Sequence, residues 1–248
     1  MIPIALQLYS LREDSAKDFP AVLKAVAEMG YDGVEFAGYH DFSAKELKKM
    51  LDDLGLKVAG THTGLDTLLG DEFEKTVEFN KIIGNKFLIV PGLDEQYTAN
   101  VDTWIKTADI FNEIAAKLAP LGMVTGYHNH WSEFAPENGR IPWDEFFSHT
   151  NDGVVMQLDT GNAKHGDADP SHYLRKFAGR ATCVHLKPFK EGDETVVIGK
   201  DELDWEEILG LCETVGGTEW YIVEQESYPT TPLETVKIDL DALRAMGR

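Results

Sequence analysis

The chain has 248 residues, of which 43% are hydrophobic and 27% charged, a composition that fits a folded globular protein and excludes the disordered and fibrous classes. Its formal net charge of −20 repels phosphate backbones and anionic lipid surfaces, and no basic patch offsets it, so we expect neither nucleic acid nor a membrane as a partner. The two cysteines, Cys183 and Cys212, lie in apolar runs and predict reduced core residues. With no signal-peptide pattern at the start, these features predict a cytoplasmic protein.

In chain order, eight short apolar runs alternate with eight segments of helical periodicity. The predicted strands are 4–8, 33–36, 57–62, 86–90, 123–128, 154–158, 182–187 and 220–223. The predicted helices are 18–29, 43–54, 73–83, 101–118, 142–149, 170–177, 205–214 and 232–246, with Ser43 as an N-cap and Gly55 as a C-terminal stop in the second.

This alternation predicts parallel βαβ units, and eight of them in about 250 residues predict a (β/α)8 TIM barrel. A doubly wound open sheet is the main alternative fold. It is disfavoured because no Gly-x-Gly-x-x-Gly follows the first strand, where a dinucleotide-binding fold uses it. No linker or composition shift divides the chain, so we predict a single domain over 1–248.

Polar side chains gather where the predicted strands end. They are Gln7, Glu35, His62, His128 with His130, Asp159 with Asn162, His185 with Lys187, and Glu224 with Glu226. Each alone has a structural explanation, such as turn formation at Asp159 or a satisfied core position at His185. In a parallel barrel, however, all these strand ends open onto one face, where active sites lie. Their mixed nitrogen and oxygen donors favour Mn²⁺, Zn²⁺, Co²⁺ or Fe²⁺.

Several motifs over most of the chain resemble the xylose isomerase-like TIM barrels, described as sugar phosphate isomerase/epimerase and AP endonuclease family 2. They are Gly33-Val34-Glu35-Phe36, Tyr127-His128-Asn129-His130 with Glu133-Phe134, Leu158-Asp159-Thr160-Gly161-Asn162, Val184-His185-Leu186-Lys187 and Ile222-Val223-Glu224-Gln225-Glu226. The resemblance implies one divalent metal ion (Mn, Zn, Co or Mg) held by Asp159, His185 and Glu224. It also implies a fourth ligand at the end of the fifth strand.

At that fifth-strand position the sequence departs from the epimerases, which have a glutamate there. Three alternatives remain: His128 replaces it as a nitrogen ligand, Glu133 reaches back from the next loop, or water completes a site with three protein ligands. We favour His128. The departure bears on mechanism, because the epimerases use that glutamate with the eighth-strand one as an acid/base pair.

The resemblance implies a sugar isomerase or epimerase that removes a proton next to a carbonyl through a metal-stabilised enediolate. The candidate bases are Glu224, Glu35 and His130. The expected substrate-binding residues are His62, Trp131, Asn162, Lys187 and Glu226. Because the loops after the seventh and eighth strands are rich in acidic residues, we expect an unphosphorylated sugar or polyol as the substrate. Related barrels range from monomers to tetramers, so a homo-oligomer is compatible with the sequence.

Three alternatives differ from this function. A keto-sugar or inosose dehydratase or lyase is favoured by the missing fifth-strand glutamate, and a sugar-binding barrel without catalysis is a more remote one. A DNA-repair endonuclease needs further histidines, but the sequence has Val90-Pro91-Gly92 and Asn162 where they are expected. The strong negative charge also argues against DNA binding.

Overall fold

The computed structural model describes residues 1–248 and contains eight parallel strands in one sheet that wraps into a nearly closed barrel. The strands are β1 (Ile4–Gln7), β2 (Gly33–Phe36), β3 (Lys57–His62), β4 (Phe87–Val90), β5 (Val124–His128), β6 (Val154–Gln157), β7 (Cys183–Leu186) and β8 (Trp220–Val223). Their order in the sheet is β6-β5-β4-β3-β2-β1-β8-β7. The gap between β6 and β7 is bridged by hydrogen bonds, one of them from His185 N to the carbonyl of Leu158 at 2.9 Å. The predicted (β/α)8 barrel is confirmed.

Eleven α-helices accompany the strands. They are α1 (Arg12–Ser15), α2 (Phe19–Met29), α3 (Ala44–Leu54), α4 (Phe73–Ile83), α5 (Glu95–Thr98), α6 (Val101–Leu118), α7 (Pro142–His149), α8 (Thr160–His165), α9 (Pro170–Lys176), α10 (Trp205–Leu211) and α11 (Pro232–Ala245). The eight predicted helices are all present, and the short α1, α5 and α8 were not predicted. None of the helices combines the length and apolar character needed to cross a bilayer.

The start and end of α3 show why the local sequence predicted its bounds so well. The Ser43 hydroxyl accepts a hydrogen bond from the backbone N–H of Glu46, whose carboxylate accepts from the backbone N–H of Ser43. Gly55 then ends the helix with φ of 70°, a left-handed conformation that glycine adopts without strain. The helix is thus delimited by short-range interactions at both ends.

The apolar residues divide into two layers that leave the carboxyl end of the barrel to polar groups. A cluster of seven buried residues fills the barrel interior: Ala5, Ala59, Phe87, Ile89, Val155, Cys183 and Ile222. A larger cluster of 52 buried residues lies mainly between the strands and the surrounding helices. Above the interior cluster the side chains are buried but polar, and they include Gln7, Glu35, Gln157 and His185. Buried polar groups need partners, so this layer forms a hydrogen-bonded network.

Candidate metal centre and active site

Four side chains from four consecutive strand ends converge at the barrel mouth. His128, Asp159, His185 and Glu224 are all buried, and one ligand atom from each lies within 4.8 Å of the others. Together they offer two imidazole nitrogens and two carboxylate oxygens, a donor set that suits a divalent transition metal. We call these four residues the donor cluster.

Asp159 follows β6 directly and is the N-cap of α8, so its carboxylate has two different environments. Its Oδ1 accepts a hydrogen bond from the backbone N–H of Asn162 at 2.7 Å. Its Oδ2 is buried without a hydrogen-bond partner, 4.0 Å from Nε2 of His128 and 3.9 Å from Nδ1 of His185. An unpartnered buried carboxylate oxygen is costly, and a cation among these atoms would remove that cost. The residues therefore fit a metal ion.

The backbone of Asp159 is held in place by Asn129, which follows β5. The amide oxygen of Asn129 accepts from the Asp159 N–H at 2.8 Å, and its Nδ2 donates to the Asp159 carbonyl at 3.1 Å. The Asn162 side chain in turn donates to the Asn129 carbonyl at 3.2 Å. Asn162 thus braces the Asn129–Asp159 pair and does not line the cavity described below.

His185 lies between two carboxylates and uses both ring nitrogens. Its Nδ1 is 2.8 Å from Oε2 of Glu224, and its Nε2 is 2.6 Å from Oε2 of Glu35. Burial lowers the pKa of His185, but the charges and hydrogen bonds of Glu35 and Glu224 outweigh it and raise the pKa to about 10. Of the two nitrogens, Nδ1 is the one that faces the donor cluster.

Glu35 lies beneath the donor cluster and is completely buried. Besides contacting His185, it accepts hydrogen bonds from Nε2 of Gln7 and Nε2 of Gln157, both at 2.7 Å. Burial raises its pKa, yet the interactions with His62 and His185 and the hydrogen bond from Gln157 leave it below the ordinary value. Gly60 on β3 makes room for it, because a Cβ there would lie 2.5 Å from Oε1 of Glu35.

Gln157, the last residue of β6, sets the tautomers of two histidines. Its Nε2 donates to Glu35, so its Oε1 is the acceptor that faces Nδ1 of His128 at 3.1 Å and Nε2 of His62 at 3.0 Å. Both histidines then donate a proton to it. Burial lowers the pKa of His128 well below its usual value and also lowers that of His62, which favours the neutral form of both rings. Nε2 of His128 is left with a lone pair near Asp159.

Glu224, which follows β8, contacts the ammonium group of Lys187 on its outer side. Nζ of Lys187 lies 3.5 Å from Oε1 of Glu224 and also pairs with Glu226. Burial raises the pKa of Glu224, but the charge of Lys187 and the hydrogen bond with His185 bring it well below the usual value. Asp159 shows the opposite result, since burial raises its pKa to about 6 against the charge of Lys187.

Glu133 is engaged outside the donor cluster. Its carboxylate accepts from the Tyr127 hydroxyl at 2.8 Å and from the backbone N–H of His130 at 3.0 Å. It also lies 3.5 Å from Nδ1 of His130, and the hydrogen bond between them raises the pKa of His130. The side chain of His130 is 48% exposed. Glu133 thus orients His130, while His128 occupies the fifth-strand position of the cluster.

A cavity of about 410 Å³ opens above the donor cluster. Its lining residues are Tyr9, Ala37, His62, Pro91, His128, His130, Glu224 and Glu226. Of the other residues predicted for the site, Glu35 is buried below it, Lys187 lies behind Glu224 and Glu226, and Trp131 is 54% exposed near His165. We call this space the first cavity.

Sequence reasoning did not assign roles to Gln157 and Asn129. Gln157 had a usable signal, because a lone amide among Val154, Val155 and Met156 is unusual in a buried strand. Asn129 stands inside the predicted His-Asn-His stretch, but nothing in the sequence indicates that it pairs with the backbone of Asp159. Both roles depend on contacts between neighbouring strands.

The fold and the donor cluster define a class of protein: a parallel barrel whose carboxyl-end face carries imidazole and carboxylate donors. The family model described as "Xylose isomerase-like TIM barrel" matches residues 23–246, and the chain belongs to this family.

Among curated proteins, an inosose dehydratase of Clostridium beijerinckii is 27% identical, with 83% of this chain and 82% of the relative covered. Among solved structures, a sugar phosphate isomerase/epimerase from Parabacteroides distasonis is 28% identical with a TM-score of 0.83, covering 98% of both chains. The IOLI protein, solved with a bound zinc atom, is 15% identical with a TM-score of 0.76, covering 98% of this chain and 97% of that one. The last similarity concerns the fold alone.

Proposed function

We propose that this protein is a divalent-metal-dependent sugar isomerase or epimerase that removes a proton next to a carbonyl. The observation that carries the proposal is the unpartnered Oδ2 of Asp159 among the nitrogens of His128 and His185, directly below a cavity lined by acid/base groups. The names of the Parabacteroides and Clostridium relatives support sugar-like ketones as substrates.

In this proposal, His128, Asp159, His185 and Glu224 hold one metal ion. The zinc in the IOLI structure agrees with a divalent ion, although Mn, Co or Mg would use the same donors. A bound metal supplies charge that polarises the substrate carbonyl and makes the neighbouring C–H more acidic. Gln157 and Glu35 hold the other ring nitrogens of His128 and His185, so that Nε2 of His128 and Nδ1 of His185 would be the atoms available to hold a metal.

Two groups that line the first cavity are suited to move the proton. The carboxylate of Glu224 is ionised and accepts it, while His130, oriented by Glu133, exchanges a proton from its own position on the cavity wall. Return of the proton to the neighbouring carbon gives isomerisation, and return to the opposite face gives epimerisation. The complete burial of Glu35 supports a positioning role for it in place of a direct role as base.

His62 and Glu226 line the same cavity and bind substrate hydroxyls in this proposal. Lys187 offsets the negative charges of Glu224 and Glu226, with which it pairs. Asn162 supports Asp159 through the backbone. Trp131 serves as an outer wall for the part of the ligand that projects from the cavity.

A dehydratase is the second candidate, and one observation favours it: the fifth strand supplies His128 in place of a carboxylate. The first cavity then offers the ionised carboxylate of Glu224 as the base and the imidazole of His130 as the acid. Such a pair removes the α-proton with Glu224 and donates a proton from His130 to a departing β-hydroxyl as water. The low-identity inosose dehydratases are in keeping with this outcome.

The test is hydrogen exchange in deuterated water. The protein loaded with Mn²⁺, Zn²⁺ or Co²⁺ is incubated with ketohexoses, ketopentoses and inososes, and proton NMR follows the carbon next to the carbonyl. We expect deuterium incorporation with an isomerised or epimerised product, whereas a dehydrated product would select the second candidate. Glu224→Gln should abolish exchange, and the exposed control Glu219→Gln should not. Absence of exchange with every ketone would refute both.

A further inference from the structure

A second cavity of about 250 Å³ lies beside the first, above the loops that follow β2 and β3 and against α4. Its walls include Tyr39, His62, Thr67, Lys75, Thr76 and Phe79. No step of the proposed chemistry uses these side chains, apart from His62. We call this space the second cavity.

The two cavities are neighbours at two points. His62 lines both of them. Ala37, just after β2, lines the first cavity, and Tyr39, two residues later, lines the second. The second cavity therefore adjoins the first at His62.

Two hydroxyls that line the second cavity already donate their protons to backbone carbonyls. The Thr67 hydroxyl donates to the carbonyl of Gly64, and the Thr76 hydroxyl donates to the carbonyl of Thr67, both at 2.8 Å. Each hydroxyl has thereby used its only proton and retains lone pairs. Such oxygens accept hydrogen bonds from ligand hydroxyls, but they offer nothing to a phosphate or carboxylate.

The charges in the second cavity also disfavour an anionic ligand. Its lysine, Lys75, donates to Glu72 at 2.6 Å, and both side chains are largely exposed, at 73% and 56%. The pair is close to neutral and well solvated, so it attracts an anion weakly. This favours an uncharged ligand.

An aromatic wall completes the second cavity. The rings of Tyr39 and Phe79 are in contact, with centroids 4.2 Å apart and planes inclined by 33°. Both residues line the cavity and are only partly buried, so part of their surface is available to a ligand. Apolar faces combined with a few polar groups are typical of small-molecule sites.

We propose that the second cavity is a subsite for a second, neutral and hydroxyl-rich ring, so that the substrate is a glycoside or disaccharide-like compound. The keto unit occupies the first cavity and the second unit packs on Tyr39 and Phe79, with its hydroxyls donating to Thr67 and Thr76. This inference rests on the proposed function in so far as a sugar-like ketone occupies the first cavity.

The experiment measures binding, which requires no turnover. Isothermal titration compares glucose with maltose, cellobiose, trehalose and sucrose on the metal-loaded protein. We expect at least one disaccharide to bind about tenfold more tightly than glucose. Thr76→Val should weaken that disaccharide by about 2- to 10-fold, the effect of one lost hydrogen bond, and leave glucose unchanged. Thr76→Ser should restore the affinity.

Phe79→Leu, which removes the ring face and leaves the Thr76 hydroxyl in place, should also weaken the disaccharide selectively. The matched control is Thr214→Val, since the exposed Thr214 hydroxyl makes the same kind of bond, to the carbonyl of Gly210 at 2.7 Å, away from both cavities. Equal affinities for glucose and all disaccharides, or no response to Thr76→Val and Phe79→Leu in folded protein, would overturn the inference.

Glucose 6-phosphate tests the claim of neutrality. If it binds more tightly than every disaccharide and loses that affinity in Lys75→Met, the second cavity is an anion site and the inference is overturned. Hydrogen exchange separates this result from the proposed function. A protein that binds disaccharides through Thr76 but exchanges no ketone proton would retain the subsite and lose the proposed reaction.

Discussion

Oε2 of Glu35 lies 2.6 Å from Nε2 of His185, although the two residues are 150 positions apart in the chain. This contact fixes the orientation of the imidazole and directs Nδ1 at the donor cluster. Carboxylates that hold the outer nitrogen of a ligand histidine also increase its basicity. Because Glu35 has no exposed surface, it acts on function through its contacts, and the contact with His185 reaches the donor cluster directly.

Replacing Glu35 by glutamine should therefore weaken metal binding without removing a ligand. We expect a loss of about 10- to 100-fold in affinity, the usual effect of changing such a supporting residue. Competition between the protein and a chelator of known affinity measures this directly. Glu219→Gln, at an exposed carboxylate that pairs with Lys86, should bind metal as the wild type does. An unchanged affinity in Glu35→Gln would show that His185 needs no such support.

Gln157→Met should reduce metal affinity by a comparable factor of about 10 to 100. The substitution keeps the shape of the side chain but removes the acceptor that fixes the tautomers of His128 and His62. The same chelator competition applies, with the exposed Gln96→Met as the matched control. If Gln157→Met binds metal normally, the tautomer of His128 is set by some other group.

Gly60→Ala should destabilise the protein by about 1–3 kcal/mol, the usual cost of overpacking a core. The added Cβ would lie 2.5 Å from Oε1 of Glu35, and that carboxylate is held by three hydrogen-bonding partners. Urea unfolding measures the change. Gly92→Ala is the control, because a Cβ there meets nothing within 4 Å and should change stability by less than about 0.5 kcal/mol. Equal stabilities of the two variants would contradict the packing argument.

The fold and part of the candidate site could be predicted from the sequence. The barrel follows from local signals, since apolar runs, helical periodicity and caps such as Ser43 and Gly55 operate over a few residues. The candidate site follows from one geometric rule, that parallel strands end on one face. This rule predicts that His128, Asp159, His185 and Glu224 lie near one another. In the structure, one ligand atom from each lies within 4.8 Å of the others.

The sequence could not predict how deeply each side chain lies in the barrel, nor which side chains of neighbouring strands are in contact. Glu35 and Glu224 both lie close to the carboxyl end of a strand, yet Glu35 lies beneath the donor cluster and Glu224 lines the first cavity. In the sequence, Asp159 has the signature of a turn residue. In the structure it is also the N-cap of α8, a helix too short to show periodicity in the sequence. The second cavity arises from loops and α4, which no strand-end rule addresses.

The buried carboxyl group of Asp239 should make the stability of the fold depend on pH. Asp239 on α11 is fully buried, and its Oδ2 has no hydrogen-bond partner. Burial raises its pKa from 3.8 to about 7, with the hydrogen bond from Ile198 N opposing this and the charge of Asp201 adding to it. The folded state then binds the proton more tightly than the unfolded state, so this group's contribution to stability falls as pH rises from about 4 to about 7.

Asp239→Asn should remove that fall, because the amide stays neutral. Relative to the wild type, the variant should gain roughly 2–4 kcal/mol between pH 5 and pH 8 in urea unfolding. Asp241→Asn, at an exposed carboxylate on the same helix, should show no such pH-dependent gain. A constant difference between wild type and Asp239→Asn over this range would mean that Asp239 is ionised throughout.

The central claim is that the donor cluster holds one divalent metal ion, and the metal content of the purified protein tests it most directly. After loading with Mn²⁺, Zn²⁺ or Co²⁺ and removal of free ions, elemental analysis should find one ion per chain in the wild type. Asp159→Ala and His185→Ala should lose it, while Asp241→Asn should keep it. Full metal content in both alanine variants, or none in the wild type, would contradict the account.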